Sequence, residues 1–457
     1  MSEDPAPDEP QPHEPQPDEA QPHEVSQFNP FQVLAGIDLG DLARMLQAPG
    51  PVNWEIARAC AASIARTAPD GSEAQEIVAA AEAAELLDLV GVAQTHVIGL
   101  TGLSEVGTIR ARAVTREEWT VVTLDGLRPV VEALSTTLAA GAPPATSFDP
   151  SGIDFGRLAS GADPIEVLGG DPEMLAGLIG ALAPLLFGVQ AGSLVGLLAQ
   201  HALGQHDLPL PLAGAPQLAF ALSNVERFAS DWEIAPRDLA FSLALREVVR
   251  CAPRSVPWVR ERLVRLSSEF VSGYEKRPEV IEERLGELIP DDVDLEGFNP
   301  FDPAADLPVI DLDPGALLDG LRTPAQLPVL AELQRFGAVL EGYADVVVAE
   351  LSASLAPDAT RVDEALRRHR VEHGRHTEFV EKMLGLSLDR GHYDLGSAFC
   401  AGVVERAGLD GLNRLWENEA MLPTPSELEA PGLWLARIEL DLDGDADRHG
   451  DESSETA

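Results

Sequence analysis

The stretch Arg246-Glu247-Val248-Val249-Arg250 decides the interpretation of this chain. It lies in a run that begins at Asp238 and predicts a helix, because apolar residues recur at helical spacing. Those apolar residues are Leu239, Leu243 and Leu245. Residues four apart lie one above the other on a helix, so that Arg246 and Arg250 project from the same face.

The same spacing carries two zinc ligands in a metalloprotease motif. In H-E-x-x-H, histidines at i and i+4 bind one Zn²⁺, and the glutamate between them acts as the general base for the attacking water. Here the glutamate is Glu247, and arginines occupy both histidine positions. A guanidinium group stays protonated and has only donors, so neither Arg246 nor Arg250 can ligate a metal.

Other motifs follow in the order found in one bacterial family. The segment Leu340-Glu341-Gly342-Tyr343-Ala344-Asp345 resembles the E-G-H-A segment that supplies the third zinc ligand in a family of zincin-like metallopeptidases. Members are often labelled zinc-dependent metalloprotease, or hydrolases associated with deazaflavin-cofactor biosynthesis. The resemblance covers most of residues 50 to 436. Its other stretches are Pro51-Val52-Asn53-Trp54, Gly188 to Leu212, Arg367-Arg368, Leu384-Gly385-Leu386, Tyr393, Gly396, Phe399, Gly411 to Trp416, Leu422-Pro423-Thr424, Glu427 and Trp434.

This resemblance implies a mainly α fold, with a zincin-like metallopeptidase domain that has a minor β-sheet and follows a helical N-terminal region. Position by position, Arg246 and Arg250 fall at the first two zinc ligands, Glu247 at the catalytic base and Glu341 at the third ligand. One ligand of three remains, and Tyr343 replaces the usual histidine. The family uses zinc, but these residues lead us to expect no cofactor in this chain.

A buried carboxylate that has lost its metal needs a cation or several hydrogen-bond donors. We therefore hypothesise that the guanidinium of Arg246 or Arg250 occupies the former metal space and pairs with Glu341, and with Glu247 as well. The alternative is that both arginines project into water.

A second candidate metal site lies further along the chain. The segment His369-Arg370-Val371-Glu372-His373 spells H-x-x-E-H, the inverted zinc motif, and His376 follows one turn later. Four nearby arginines make this a cationic neighbourhood that repels Zn²⁺, and no third carboxylate is identifiable. A solvated helical face is the competing interpretation.

Three functions are compatible with these residues. The first is a catalytically inactive metallopeptidase homologue with a binding or regulatory role, whose cleft holds peptide or protein. The second is a working metallohydrolase with a non-standard site around His369, His373 and Glu341. The third is a structural interaction protein whose cleft has filled in.

The composition of the 457 residues excludes some partners. A formal charge of -44 disfavours nucleic acid and anionic lipid, because binding phosphate groups needs clustered cations.

Three scattered cysteines fit a reducing compartment better than a disulfide framework. The chain begins without the basic and apolar regions of a secretory signal, so we expect it in the cytoplasm.

Composition shifts along the chain predict five regions. These are a disordered acidic, proline-rich tail at 1–27, a helical N-terminal region at 28–145, a linker at 146–172, a second folded region at 173–437 and a disordered acidic tail at 438–457. The family resemblance implies that the region at 173–437 is the zincin-like domain. The run from Met174 to Gly204 is apolar enough to cross a bilayer, but we favour two packed, buried helices there. Its glycines at four-residue spacing would let another helix approach closely.

Overall fold

The computed structural model describes residues 50–67, 77–139, 172–275, 322–355, 360–372 and 374–439. The two predicted tails and the predicted linker lie outside these ranges except for residues 172, 438 and 439. The described residues form helices and two short strands, which confirms the mainly α fold with a minor sheet. The helices are α1 (Trp54–Arg66), α2 (Ala80–Thr101), α3 (Arg116–Ala139), α4 (Pro172–Ala199), α5 (Leu222–Asp231), α6 (Pro236–Ser255), α7 (Pro257–Ser272), α8 (Gln326–Leu355), α9 (Thr360–Glu372), α10 (Gly374–Met383), α11 (Arg390–Asn413), α12 (Pro425–Glu429) and α13 (431–439).

The sheet pairs β1 (Arg110–Val114) with β2 (Gln217–Ala221) in parallel, from Arg110 beside Gln217 to Val114 beside Ala221. Parallel strands need a crossover connection, and the chain between them includes α3 and α4. The apolar run at 218–222 predicts a strand ahead of the arginine-bearing helix, and β2 confirms it, one residue earlier. This strand leads directly into α5, and α6 follows.

Side-chain caps explain where two N-terminal helices begin. The backbone N–H of Glu118 donates to Thr115 Oγ1 at 3.1 Å, and the N–H of Thr115 donates to Glu118 Oε2 at 2.9 Å. This is the capping box that the sequence Thr115-Arg116-Glu117-Glu118 predicts for α3. Asn53 caps α1 by accepting from the N–H of Ile56 at 3.1 Å.

The glycine-bearing face of α4 packs directly on α1. A Cβ added to Gly188 or Gly192 would lie 2.4 Å from Asn53 O or 2.3 Å from Ala57 O. The close helix approach predicted from the glycine spacing is therefore confirmed. The prediction of two helices in this run is wrong, because α4 continues through Pro184. The packing against α1 offsets the cost of an internal proline, roughly 3 kcal/mol.

Replacing Gly192 with alanine is expected to lower the free energy of unfolding by about 1 to 3 kcal/mol, because the added methyl group forces α4 away from α1. The matched control is Gly99→Ala in α2, where an added Cβ meets no atom within 4 Å. This control should instead stabilise the protein by about 0.5 to 1 kcal/mol. Urea unfolding of both variants measures the difference, and equal effects would contradict the close contact.

Two described helices have the length and hydropathy of a membrane span: α2 and the Leu182–Ala199 part of α4. The qualifying windows are 22% and 44% buried within the protein. Length and hydropathy alone do not separate a span from an apolar helix of a soluble protein, so both remain weak indications.

Buried side chains from α1, α2 and α3 join those of α6, α7, α8 and α11 in one continuous hydrophobic core. The residues on either side of the predicted linker therefore share this core. The three cysteines, Cys60, Cys251 and Cys400, are all buried and unpaired. Burial in an apolar environment raises the pKa of each thiol, which keeps the thiols protonated and unreactive.

Candidate functional site

The C-terminal half of α6 is buried on all sides, from Glu247 to Ser255. Pro236 occupies the first turn, and Asp238 complements the positive end of the helix dipole. Apolar residues on every face beyond that point place the helix inside the core. Its charged residues are therefore removed from water and need compensation within the protein.

Arg246 turns toward α9. Its Nη2 lies 2.7 Å from Asp363 Oδ1, and the two side chains are 17% and 22% exposed. The geometry and partial burial make this a charge-assisted hydrogen bond. Of the two arginines in the hypothesis, the structure thus pairs Arg246 with Asp363 and not with Glu341.

Arg250 is the arginine that lies beside Glu341. Its Nε is 3.9 Å from Glu341 Oε2, and the two side chains are 9% and 6% exposed. At this distance the contact is an ion pair and not a hydrogen bond. The structure therefore brings together the positions of the second and third family ligands, with a guanidinium group between the carboxylate and α6.

Glu247 faces the segment Gly204-Gln205-His206-Asp207 and is fully buried. Its Oε2 accepts from the backbone N–H of His206 at 2.7 Å. A Cβ added to Gly204 would lie 2.3 Å from Glu247 Cδ, so that any larger residue there would displace the carboxyl group. The indole N–H of Trp119 donates a hydrogen bond to the backbone carbonyl of Gly204 at 3.2 Å.

Burial dominates the electrostatics of Glu247. Desolvation first, and then the nearby Asp207 carboxylate, raise the pKa of this carboxyl to about 8, although the hydrogen bond from His206 and the charges of Arg250 and Arg254 oppose the shift. At neutral pH the group is mostly protonated. A protonated carboxyl cannot accept a proton, so this environment is unfavourable for a general base.

We expect the free energy of unfolding to fall by about 2 kcal/mol between pH 6.5 and 8 because of Glu247. In this range the folded carboxyl, with its pKa near 8, keeps a proton that the unfolded group, with its pKa near 4.5, has released. Rising pH therefore favours unfolding. Below pH 6.5, buried His206, with its pKa lowered to about 3, opposes this slope, since it charges only on unfolding. Glu247→Gln should flatten the slope above pH 6.5.

Denaturant unfolding at a series of pH values measures this effect. The matched control is Glu82→Gln on the exposed side of α2, which should keep the wild-type slope. A Glu247→Gln variant with an unchanged slope would show that Glu247 is ionised in the folded protein at neutral pH.

Arg254 is a site residue that the sequence interpretation missed. It is 7% exposed and donates from Nη1 to the carbonyl of Arg250 at 2.7 Å. Desolvation lowers the pKa of Arg254, while the charge of Glu341 opposes this shift. The available signal was the continued four-residue spacing of Arg246, Arg250 and Arg254, which extends the cationic face by one turn.

Tyr343, which replaces the usual histidine of the family segment, contacts α11 and does not contribute to the arginine cluster of α6. It is fully buried, and its hydroxyl donates to Asn413 Oδ1 at 2.8 Å. The amide of Asn413 in turn donates to the carbonyl of Leu100 at 3.1 Å, and the Tyr343 ring packs edge-on against Trp416. Desolvation raises the pKa of Tyr343, so that the hydroxyl keeps its proton. These contacts join α8, α11 and α2.

The second candidate metal site is described only in part. His369 packs edge-on against Phe228, and its Nε2 lies 3.9 Å from Asp207 Oδ2. His373 lies outside the described residues, and of His376 only the backbone is described. The arrangement of these three histidines therefore stays a prediction.

The residues at the family ligand positions do not fit a zinc ion. Tetrahedral zinc needs at least three lone-pair donors from the protein. Arg246 and Arg250 have none to offer, which leaves Glu341 as the single ligand. Across the described ranges, no group of three or more His, Cys, Asp or Glu side chains is placed to hold a metal ion.

Comparison with known proteins identifies the scaffold. The model of the zincin-like metallopeptidase family matches residues 52–435. The chain therefore belongs to the zincin-like metallopeptidase family. A crystal structure from Chloroflexus aurantiacus, described as a hydrolase candidate with a novel fold, is 21% identical with a TM-score of 0.49, over 85% of this chain and 99% of that one. No curated protein matches the chain.

Proposed function

We propose that this chain is a catalytically inactive zincin-like metallopeptidase that has a binding or regulatory role in the cytoplasm, with peptide or protein as its partner. The observation that carries the proposal is the Arg250 guanidinium beside Glu341, where the family places the metal. A cation that cannot dissociate compensates the carboxylate in place of zinc. The raised pKa of Glu247 supports the same conclusion, because zinc hydrolysis needs that group as a base.

Metal analysis tests this proposal. Protein purified without chelators and then dialysed against buffer with equimolar zinc should retain far less than one zinc ion per chain. The protein should also hydrolyse no peptide bonds in a mixture of peptides with added zinc, as measured by the new amino groups that hydrolysis would expose. Zinc retained at about one ion per chain, together with peptide hydrolysis, would contradict the proposal and favour the metallohydrolase with a non-standard site.

The burial of Glu341 favours a second candidate function. Its side chain is 6% exposed, so the former ligand position is closed to a substrate. A structural interaction protein with a filled cleft would have this feature. Any small-molecule or peptide binding must then occur beside the former metal position and not within it.

A further inference from the structure

A pocket lies at the C-terminal end of α6, between α3, α7 and the segment 205–217. Its empty volume is about 440 Å³, including the open mouth. The apolar part of the wall is formed by Val122, Leu210, Leu212 and Leu263, and the polar part by Gln205, His206, Arg254 and Arg260. The pocket does not include Glu341 and is therefore separate from the family ligand positions.

Three buried polar atoms on the residues of this wall have no hydrogen-bond partner within the described part of the chain. They are Gln205 Oε1, His206 Nε2 and Arg254 Nε. The three residues are only 1%, 6% and 7% exposed. A buried polar atom that lacks a partner destabilises a folded protein, because it has lost its hydrogen bond to water without gaining another. Three around one pocket indicate a ligand that supplies the missing hydrogen bonds.

The three atoms without a hydrogen-bond partner define which donors and acceptors the ligand must have. Arg254 Nε is a donor, and Arg260, which donates from Nη1 to the Arg254 carbonyl at 2.8 Å, has further N–H groups. Gln205 Oε1 is an acceptor. The ring of His206 donates to the backbone carbonyl of Gln217, and burial together with the charges of Arg254 and Arg250 lowers its pKa and keeps it neutral, so its Nε2 is also an acceptor. The ligand therefore needs both an anionic acceptor and an N–H donor.

We propose that this pocket binds an α-amino carboxylate with a small apolar side chain, either the C-terminal residue of a peptide or a free amino acid. The carboxylate pairs with Arg254 and Arg260, the ligand N–H donates to Gln205 or His206, and the side chain contacts the leucines. This inference rests on the proposed binding role and names its ligand. Phosphate or a simple carboxylate would leave Gln205 Oε1 and His206 Nε2 facing further lone pairs.

Isothermal titration of the full chain with N-acetylalanine tests the assignment. Two analogues isolate the two functions of the ligand: N-acetylalanine amide lacks the carboxylate, and propionate lacks the N–H. Each should bind at least about tenfold more weakly, since each loses a charge-assisted or neutral hydrogen bond in a buried site. Trialanine and free alanine then distinguish a peptide terminus from a free amino acid.

Variants locate the binding within the pocket. Arg260→Met should weaken binding of N-acetylalanine about tenfold or more. The matched control is Arg265→Met on the same helix, whose side chain is 54% exposed and pairs with Glu419 outside the pocket; it should leave binding unchanged. Val122→Trp, which fills the pocket from its wall without removing a polar group, should abolish binding. Circular dichroism verifies that each variant is folded.

The outcomes separate this inference from the proposed function. Absence of binding, equal affinity for the acid and its amide, or unchanged affinity in folded Arg260→Met and Val122→Trp would overturn the pocket assignment and leave the zinc result untouched. Zinc retention with hydrolysis would overturn the proposed function whatever the pocket binds.

Discussion

Replacing Glu341 with alanine is expected to lower the free energy of unfolding by about 3 to 5 kcal/mol. The side chain is 6% exposed and lies beside Arg250, which is 9% exposed. Its charge also stabilises the protonated form of the buried Arg254. Removal leaves two guanidinium groups buried without their carboxylate, and an uncompensated buried charge is far more costly than a lost contact. Guanidinium chloride unfolding measures the change.

Two controls separate this effect from simple loss of an ion pair. Asp125→Ala removes the partner of Arg58 in a pair that is 54% and 42% exposed, and it should change stability by no more than about 1 kcal/mol. The double variant Arg250→Met, Glu341→Leu removes both charges together and should recover most of the loss. A Glu341→Ala effect as small as that of Asp125→Ala would show that Arg250 and Arg254 are compensated elsewhere.

The double variant Arg246→His, Arg250→His is expected to bind about one zinc ion per chain, and the wild-type protein is expected to bind far less. The substitutions return two imidazoles to one face of α6, opposite Glu341. Together these residues provide the three ligands that the family pattern requires. Metal analysis after dialysis measures the uptake, and peptide cleavage with added zinc shows whether Glu247 still acts as a base.

Single and triple variants show whether the metal uses these ligands. Each single histidine variant has one ligand fewer and should bind zinc at least about tenfold more weakly. Adding Glu341→Gln to the double variant should have the same effect. A folded double variant that takes up no zinc would mean that Glu341 does not face the two α6 positions at ligand distance.

The sequence predicts those parts of the fold that depend on local chemistry. The capping box at Thr115 and Glu118, the strand before α5 and the glycine face of α4 follow from residues close together in the chain. The two helices predicted in the run from Met174 to Gly204 are instead one helix, α4, which continues through Pro184.

Less of the candidate site could be predicted from the sequence, because its contacts join distant segments. Arg246 and Arg250 lie on one face of α6, yet one turn separates them along the axis and they meet different helices. His206 contacts Glu247 from 41 positions away, and Gly204 is required only because the carboxyl approaches it. These contacts depend on how distant segments pack, which spacing within one helix cannot reveal.

The hydrogen bond from Asn413 to Leu100 joins positions 313 residues apart. Contacts of such sequence separation slow folding, because a long chain must close before they form. On the ribosome, α2 can pack against α6 once residues 236–255 have emerged, but its link to α11 forms only after nearly the whole polypeptide has been made. The attachment of α11 to the end of α2 is therefore expected to be one of the last steps as the newly made polypeptide folds.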